Sequence, residues 1–291
     1  MTFSGMQPSP WVWHPHGIAD DMKKFTPGLI AVAPFWGGTN EISFSGVTGN
    51  DFIQRTQLTL VSSNQEAMPV AGATGLGQRP LVNTSPGWGL RYNTDLLGGL
   101  GAFTAIACVE WDGGIDDQSI FGNWVSGGTR LLWRVETAST RRMRALLVTS
   151  GGTLDTGVPS ASAINAAGSS TVVALRYDGA NLNLFIDGVK SADDGTGSGT
   201  VTTLTPSGDN NYSWSANGAS ASQGEWRGIH YGGNIWNRAL SDADISVFSQ
   251  NFFRFWEPAE PRAPLFGDLG AAPSGPTIPI FAHHYNQMRL A

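Results

Sequence analysis

The chain has 291 residues, a formal net charge of -6, and charged side chains at only 14% of its positions. This acidic balance argues against a phosphate-neutralising surface, so we expect no nucleic-acid partner. Its 38 glycines and 11 tryptophans favour many short strands and tight turns over long helices.

The first 34 residues show no regular hydrophobic period and contain the segment PSPWVWHPHG. Prolines remove backbone donors and favour extended chain, while an indole buries a large apolar area when it docks. We therefore predict an N-terminal arm whose Trp11 and Trp13, together with Trp36, bind a partner surface. Packing of these side chains on their own domain is the alternative.

Residues 40–61 have the alternation of short strands, whereas residues 62–80 are rich in Gly, Ala, Ser and Pro and predict a loop or boundary. We therefore assign residues 1–80 to an attachment region that contains strands and start a second domain at residue 81. Further strands are predicted between Gly-rich or polar turns, over residues 88–92, 103–111, 119–124, 130–136 and 144–148. Cys108, the single cysteine, lies in one of them and is expected to be a small buried hydrophobe.

The segment 171–190, TVVALRYDGANLNLFIDGVK, has large apolar residues at every second position. This is the period of strands with one buried face. The pairs Asp178-Gly179 and Asp187-Gly188 supply hairpin turns, because glycine accepts a positive φ and aspartate can bond its own backbone. The segment predicts a meander of three strands, with a polar loop at 193–199.

The segment 226–251 begins as a strand that ends near Trp236 and then changes to a helical period. Ser241 is a good N-cap, and Leu240 and Ile245 stand where a hydrophobic staple places its two residues. The helix would then pack through Ile245, Phe248 and Phe252. The preceding residues 206–224 predict a loop.

Two motifs, RYDGANLNLFIDGVK and GGNIWNRALSDADI, resemble the laminin-G-like or concanavalin A-like jelly roll. The resemblance covers about residues 81–256. It implies an all-β protein, an antiparallel β-sandwich with one short helix, between extended N-terminal and C-terminal arms.

Residues 257–291 are proline-rich and predict a tail that crosses a surface without regular structure. Its end, IPIFAHHYNQM, resembles C-terminal tails of tailed-phage structural proteins. We expect Phe281, His284, Tyr285 and Met288 to bind a partner.

The sequence has no 18-residue apolar span and no secretory signal, so neither membrane insertion nor export is expected. A fold usually displayed outside cells, in a chain without export, fits a virion protein made in the host cytoplasm and released by lysis. The sequence therefore predicts a non-enzymatic structural protein of a tailed phage, with capsid decoration favoured. Its partners would be the major capsid or tail protein, with self-association.

Enzymes of this fold carry two or three carboxylates that alternate along one strand. Glu110-Trp111-Asp112 supplies the first two, but glycines follow where the third would stand. We therefore predict no catalytic residues and no enzyme activity. The alternative function is recognition of a host glycan, by stacking of Trp124 or Trp214 on sugar rings, although core packing is favoured for both.

For two acidic loops, calcium binding is the alternative to the interpretation that their acids are solvated turn residues. They contain Asp112, Asp116 and Asp117, and Asp193 with Asp194. Neither has complete ligand spacing. His14 and His16 have no third ligand nearby in sequence, and the adjacent His283 and His284 would point to opposite sides of an extended chain. No cofactor or metal site is therefore predicted.

Overall fold

The computed structural model describes residues 20–34, 42–43, 46–47, 49–51, 56–60, 67–72, 75–80, 90–113, 116–123, 128–159, 161–206, 210–215 and 226–256. The strands in the first part of the chain are β1 (Leu29–Pro34), β2 (Ile42–Ser43), β3 (Gly46–Val47), β4 (Gly49–Asp51), β5 (Thr56–Leu60), β6 (Ala67–Gly72), β7 (Gly75–Pro80), β8 (Leu90–Arg91) and β9 (Phe103–Glu110). The later strands are β10 (Gln118–Asn123), β11 (Leu131–Thr137), β12 (Arg142–Thr149), β13 (Gly152–Asp155), β14 (Ser170–Tyr177), β15 (Asn181–Ile186), β16 (Val189–Thr196), β17 (Ser213–Trp214) and β18 (Ile229–Trp236). The helix α1 (Asp242–Gln250) is accompanied by 3₁₀ turns at Asp20–Phe25 and Phe253–Trp256.

The strands form two antiparallel eight-stranded sheets, and this confirms the predicted sandwich. The first sheet has the order β16-β15-β14-β9-β18-β7-β6, with β1 also paired to β18. The second has the order β13-β12-β11-β10-β17-β8-β5-β4. β2 and β3 form a separate two-stranded ribbon. No helix in the described ranges is long and apolar enough to cross a membrane.

The central strands β9 and β18 of the first sheet are buried on both faces, and the fold has two cores. The inner face of the first sheet meets the second sheet through residues such as Leu175, Leu184 and Ile235. Its outer face is covered by α1 and the two 3₁₀ turns, with Phe248 packed edge-on against the ring of Phe25. Cys108 lies in this outer core with no exposed surface, as predicted.

The meander and the helix follow the sequence signals closely. The turn between β15 and β16 has Asp187 at φ 47° and Gly188 at φ 81°, which is the backbone that a two-residue hairpin requires. Ser241 caps α1, because its side chain accepts a hydrogen bond from the backbone N–H of Asp244 at 3.1 Å. The staple residues Leu240 and Ile245 are both buried in the outer core.

Arg176 fixes the start of α1 on the outer face of the first sheet. Its guanidinium is almost fully buried and donates to the carbonyl of Leu240, at 3.0 Å, and to the carboxylate of Asp242. The same side chain donates to Asn183 and lies 5.1 Å from the ring of Phe185. A buried arginine is tolerated here because its donors have acceptors.

The prediction that residues 1–34 form an arm is wrong for residues 20–34. β1 pairs with β18 over Leu29–Pro34, and Ala31, Val32 and Ala33 are fully buried. The boundary at residue 81 does not separate the strands either, because β6 and β7 extend the first sheet and β5 pairs with β8 of the second. Backbone pairing overrides the loop-like composition of residues 67–80.

Two further segments predicted as loops contain strands. β16 continues through residues 193–196, and β17 lies within residues 206–224. The sequence also missed β13, a short edge strand that pairs with β12. In each of these strands the local sequence pattern is weak, and hydrogen bonding to a neighbouring strand determines the structure.

Candidate functional site

A small pocket of about 190 Å³ opens at one rim of the sandwich. Glu110, Trp111 and Asp112 contribute from the end of β9, and Ile229 from the start of β18. Three small residues complete the lining from the connecting segments, Ala167, Gly168 and Gly228. Glycine is required at 228, because a Cβ there would lie 1.9 Å from the carbonyl oxygen of Glu110.

Contacts with neighbouring side chains fix Glu110 and Trp111 at this rim pocket. The Tyr231 hydroxyl donates to Oε2 of Glu110 at 2.6 Å, which orients the carboxylate. The Trp111 ring lies edge-on against Trp226, with centroids 5.7 Å apart, and Nε1 of Trp226 donates to the Ile229 carbonyl. Both tryptophans are buried in the inner core, so they support the rim from inside the fold, and the pocket has two carboxylates near its mouth.

The other acids of the same loop are engaged with the second sheet. Asp116 accepts a hydrogen bond from the Ala138 N–H at 2.6 Å, and Asp117 pairs with Arg134 at 3.1 Å. Burial raises the pKa of the Asp117 carboxyl, although Arg134 opposes the shift. Among the described residues, no group of three His, Cys, Asp or Glu side chains is placed to hold a metal ion.

The paired arginines Arg134 of β11 and Arg144 of β12 also have partners within the fold. Arg144 binds Glu136 and Asp155, and Arg134 binds Glu136 from the other side. Hydrogen bonding to Arg144 lowers the pKa of the Asp155 carboxyl. The result is a ladder of alternating charges on the outer face of the second sheet.

Trp214, a glycan candidate from the sequence, is a core residue instead. Its indole has no exposed surface, lies 4.3 Å from the Phe121 ring by centroids, and donates from Nε1 to the Tyr92 hydroxyl at 3.0 Å. The opposite sheet touches it at Gly233. Its ring therefore has no free face for a sugar, which excludes the glycan alternative for Trp214 and agrees with the core packing that the sequence favoured.

The remaining candidates from the sequence lie outside the described residues. These are Trp11, Trp13, Trp36, Trp124, Phe281, His284, Tyr285 and Met288. The side chains of Asp193 and Asp194 in β16 also lie outside the description, so calcium binding by this pair stays an untested alternative.

The sequence drew attention to Glu110 and Asp112 as part of an incomplete catalytic pattern, and to Asp112 also as part of an acidic loop. It missed Ala167, Gly168 and Gly228, because small residues in connecting segments carry no local signal of a site. Their proximity to Glu110 depends on two long-range pairings of β9, with β14 and with β18.

His230 is a buried titratable group near Trp214 in the inner core. Its ring centroid lies 5.5 Å from that of Trp214, and its Nδ1 accepts a hydrogen bond from the Gly232 N–H at 3.2 Å. Burial lowers the pKa of His230 to about 3. The ring is therefore neutral in the folded protein at pH values where an exposed histidine carries a proton.

We expect His230 to make the fold acid-sensitive. The unfolded chain protonates this residue near its ordinary pKa of about 6.5, so between that pH and about 3 the unfolded state binds more protons. The free energy of unfolding should fall by roughly 2–3 kcal/mol between pH 6.5 and 4.5 from this residue alone. Urea denaturation of the wild type and His230→Gln at both pH values measures the difference. An equal loss in the two proteins would contradict the assignment.

The chain matches the model of the concanavalin A-like lectin/glucanases superfamily over residues 89–246, just over half of its length. Among curated proteins, no relative matches the chain.

Solved structures of the same fold include domain 4 of AbnA, a GH43 extracellular arabinanase of Geobacillus stearothermophilus, in complex with arabinotriose. It has a TM-score of 0.54 at 15% identity and covers 76% of this chain and 98% of its own. Trypanosoma rangeli sialidase has a TM-score of 0.50 at 16% identity, covering 78% of this chain and only 33% of its own. The binding domain of Paraclostridial Mosquitocidal Protein 1 has a TM-score of 0.50 at 11% identity, covering 79% and 55%. At these identities the likeness shows the fold alone.

Proposed function

The chain belongs to the concanavalin A-like lectin/glucanases superfamily, and we propose that it is a non-catalytic member whose rim pocket binds carbohydrate. The observation that carries this proposal is the pocket itself. It places the oriented Glu110 carboxylate and the exposed Asp112 carboxylate, which can accept hydrogen bonds from sugar hydroxyls, beside a cleft lined by the small residues Ala167, Gly168 and Gly228. The arabinanase domain, which has the same fold, was solved in complex with arabinotriose. That complex is consistent with the proposal, although the sugar is a ligand of that domain and not of this chain.

The non-catalytic part of the proposal is supported by the carboxylates that line the pocket. Retaining hydrolysis needs a nucleophile and an acid at a short, fixed separation on either side of the scissile bond. Here Glu110 is hydrogen-bonded by Tyr231, while Asp112 is an exposed residue of the following loop. Neither position has the third acid of the hydrolase pattern, because Gly113, Gly114 and Ile115 follow.

Filling the pocket should abolish carbohydrate binding without unfolding the protein. Ala167 is exposed at the mouth, so Ala167→Trp places an indole over the pocket, and Ala166→Trp adds the same bulk at an exposed neighbour outside the lining. We expect wild type and Ala166→Trp to bind the same glycans on an array, and Ala167→Trp to lose at least about 90% of the signal. Equal thermal unfolding midpoints would show that both variants are folded.

Two results would contradict this function. The first is that no glycan binds the wild-type protein on a broad array, and the second is that Ala167→Trp binds as well as Ala166→Trp. A hydrolysis product from any polysaccharide, lost in Glu110→Gln, would contradict the non-catalytic assignment alone.

A second candidate function is a structural role in a virus particle. The terminal segment IPIFAHHYNQM resembles tails of tailed-phage structural proteins, and the Trp-rich start of the chain has the composition of an attachment segment. We infer a virion protein, made in the host cytoplasm, that decorates the capsid and displays the sandwich. The contacts would come from Trp11, Trp13, Trp36, Phe281, His284, Tyr285 and Met288, and copies on one particle would add avidity.

Gradient sedimentation of native particles tests this candidate. Co-sedimentation at a fixed number of copies per particle would support it, and the copy number would distinguish capsid from tail. Recovery of the protein only at the top of the gradient would exclude a virion location and leave carbohydrate binding by itself.

A further inference from the structure

The wall of the rim pocket that contains Ala167 and Gly168 is built differently from the rest of the lining. Glu110 and Ile229 belong to β9 and β18, and backbone pairing within the first sheet fixes their positions. Residues 166–169, in contrast, are exposed and lie in the connection before β14, outside every strand. Some interaction other than strand pairing therefore has to hold this wall beside the strand ends.

The two wall residues are the central residues of a tight turn. The N–H of Ser169 donates to the carbonyl of Ala166 at 3.2 Å, and Gly168 has φ 83°. A type II turn requires a positive φ at its third residue, and glycine adopts this backbone without strain. The turn sets the shape of the wall, but its exposed side chains bury little surface that could attach it to the sheet.

Asn165 closes the base of this turn. Its backbone N–H donates to Oγ1 of Thr171 at 3.0 Å, and its Nδ2 donates to the carbonyl of Ser170 at 2.9 Å. Ser170 and Thr171 are the first residues of β14, and Ser170 pairs with Glu110 of β9. The hydrogen bonds of Asn165 therefore join the two ends of the turn directly beside the strand end that carries Glu110.

The same asparagine is also linked to the turn between β15 and β16. Its Nδ2 lies 3.4 Å from Oδ2 of Asp187, and Oδ1 of Asp187 accepts a hydrogen bond from the Val172 N–H at 2.8 Å. The N–H of Asp187 donates to the Val172 carbonyl at 2.7 Å. Asp187 is therefore fixed against β14 and gives the Asn165 side chain an acceptor with a defined position.

We propose that Asn165 is a positioning residue of the rim pocket, which holds Ala167 and Gly168 beside β9 and β18 without lining the pocket itself. This inference rests on the proposed carbohydrate-binding function. If the wall leaves its position in a fraction of the molecules, only the remainder can bind, and the apparent affinity falls by that fraction. Dissociation should not change, because every ligand contact is still made once the wall is in place.

The mobility of the turn can be measured without any ligand, by electron paramagnetic resonance. Ser169 is exposed and outside the lining, so Ser169→Cys accepts a nitroxide label, whereas Cys108 is fully buried and should not react. We expect the label to move at least about threefold faster in Asn165→Ala and in Asn165→Asp, since neither variant has the amide donor. The control Asn251→Ala removes a comparable side-chain bond, to the Val247 carbonyl at 2.8 Å, and should leave the label unchanged.

Binding kinetics separate positioning from a direct contact and from a purely stabilising role. The probe is the glycan with the strongest wild-type signal on the array, and surface plasmon resonance with the unlabelled full-length protein gives both rate constants. We expect Asn165→Ala to lower the association rate constant by about threefold to tenfold, with dissociation within about twofold of wild type. Loss of a direct contact would raise the dissociation rate instead. A purely stabilising residue would lower the thermal midpoint with both rate constants unchanged, and either of these results would overturn the proposal.

The outcomes separate this inference from the function on which it rests. If Asn165→Ala frees the turn but binds the glycan at the wild-type rates, the positioning role is wrong while carbohydrate binding stands. Unchanged mobility of the label in both Asn165 variants would likewise overturn the positioning role alone. If no glycan on the array binds the wild type, both proposals fail.

Discussion

Deletion of residues 1–34 is expected to abolish the folded state of the sandwich. The deletion removes β1 from its pairing with β18 and takes the buried side chains of Met22, Phe25, Leu29 and Val32 out of the outer core. Four such side chains stabilise the fold by roughly 6–12 kcal/mol, as an upper estimate from burial. A domain is stable by only about 5–15 kcal/mol in total, so the remainder should not fold cooperatively.

The matched control is deletion of residues 1–19, which retains the 3₁₀ turn and β1. Nε1 of Trp236 can then still donate to the carbonyl of Phe25, and the Phe25 ring can still pack against Phe248. Circular dichroism melts of both truncations give the comparison. We expect a cooperative transition for the shorter deletion and none for the longer one, and similar transitions in both would show that β1 is dispensable.

The sequence predicted those elements whose large apolar side chains recur at a regular spacing along the chain. β14 and β15 alternate through Val173, Leu175, Leu182 and Leu184, and these four side chains are buried between the sheets. α1 was equally predictable, because the cap at Ser241 and the apolar spacing are local signals. Such elements are specified by their own residues, and tertiary structure adds little to the assignment.

β1 was missed because it is a short run of apolar residues in a proline-containing start of the chain. Ala31 and Ala33 point into the inner core and Val32 into the outer core, so LIAVAP is a short apolar run without alternation. A run of this kind between prolines does not distinguish a strand from an anchoring arm. The second core on the outer face of the first sheet is what makes it a strand.

The rim pocket was predictable only in part for a related reason. Glu110 and Asp112 were identified from the sequence because two acids two residues apart at the end of a predicted strand match part of a catalytic pattern. Gly228 and Ala167 become pocket residues only through the register of β18 and β14 against β9, which no local pattern encodes. Candidate tryptophans were ambiguous because an indole serves equally well in a core and on a sugar-binding surface.

Trp214→Ala is expected to destabilise the sandwich by about 3–5 kcal/mol, the usual cost of removing a large buried aromatic side chain. The side chain fills the space between the sheets at Gly233 and Phe121, and Tyr92 loses the hydrogen bond from Nε1. Chemical denaturation measures the loss. A sugar-binding surface tryptophan would give the opposite pattern, with weaker glycan binding and a free energy of unfolding within about 0.5 kcal/mol of wild type.

A double-mutant cycle with Gly233 identifies the contact that makes Trp214 structural. A Cβ at position 233 would lie 2.4 Å from Cη2 of the indole, so Gly233→Ala should cost about 1–3 kcal/mol through overpacking. In the Trp214→Ala background the obstructing ring is absent, and the same substitution should cost less than about 0.5 kcal/mol. The coupling would therefore be about 1 kcal/mol or more. Additive effects would mean that the two sheets do not meet at this pair, which would contradict the way in which they pack in this fold.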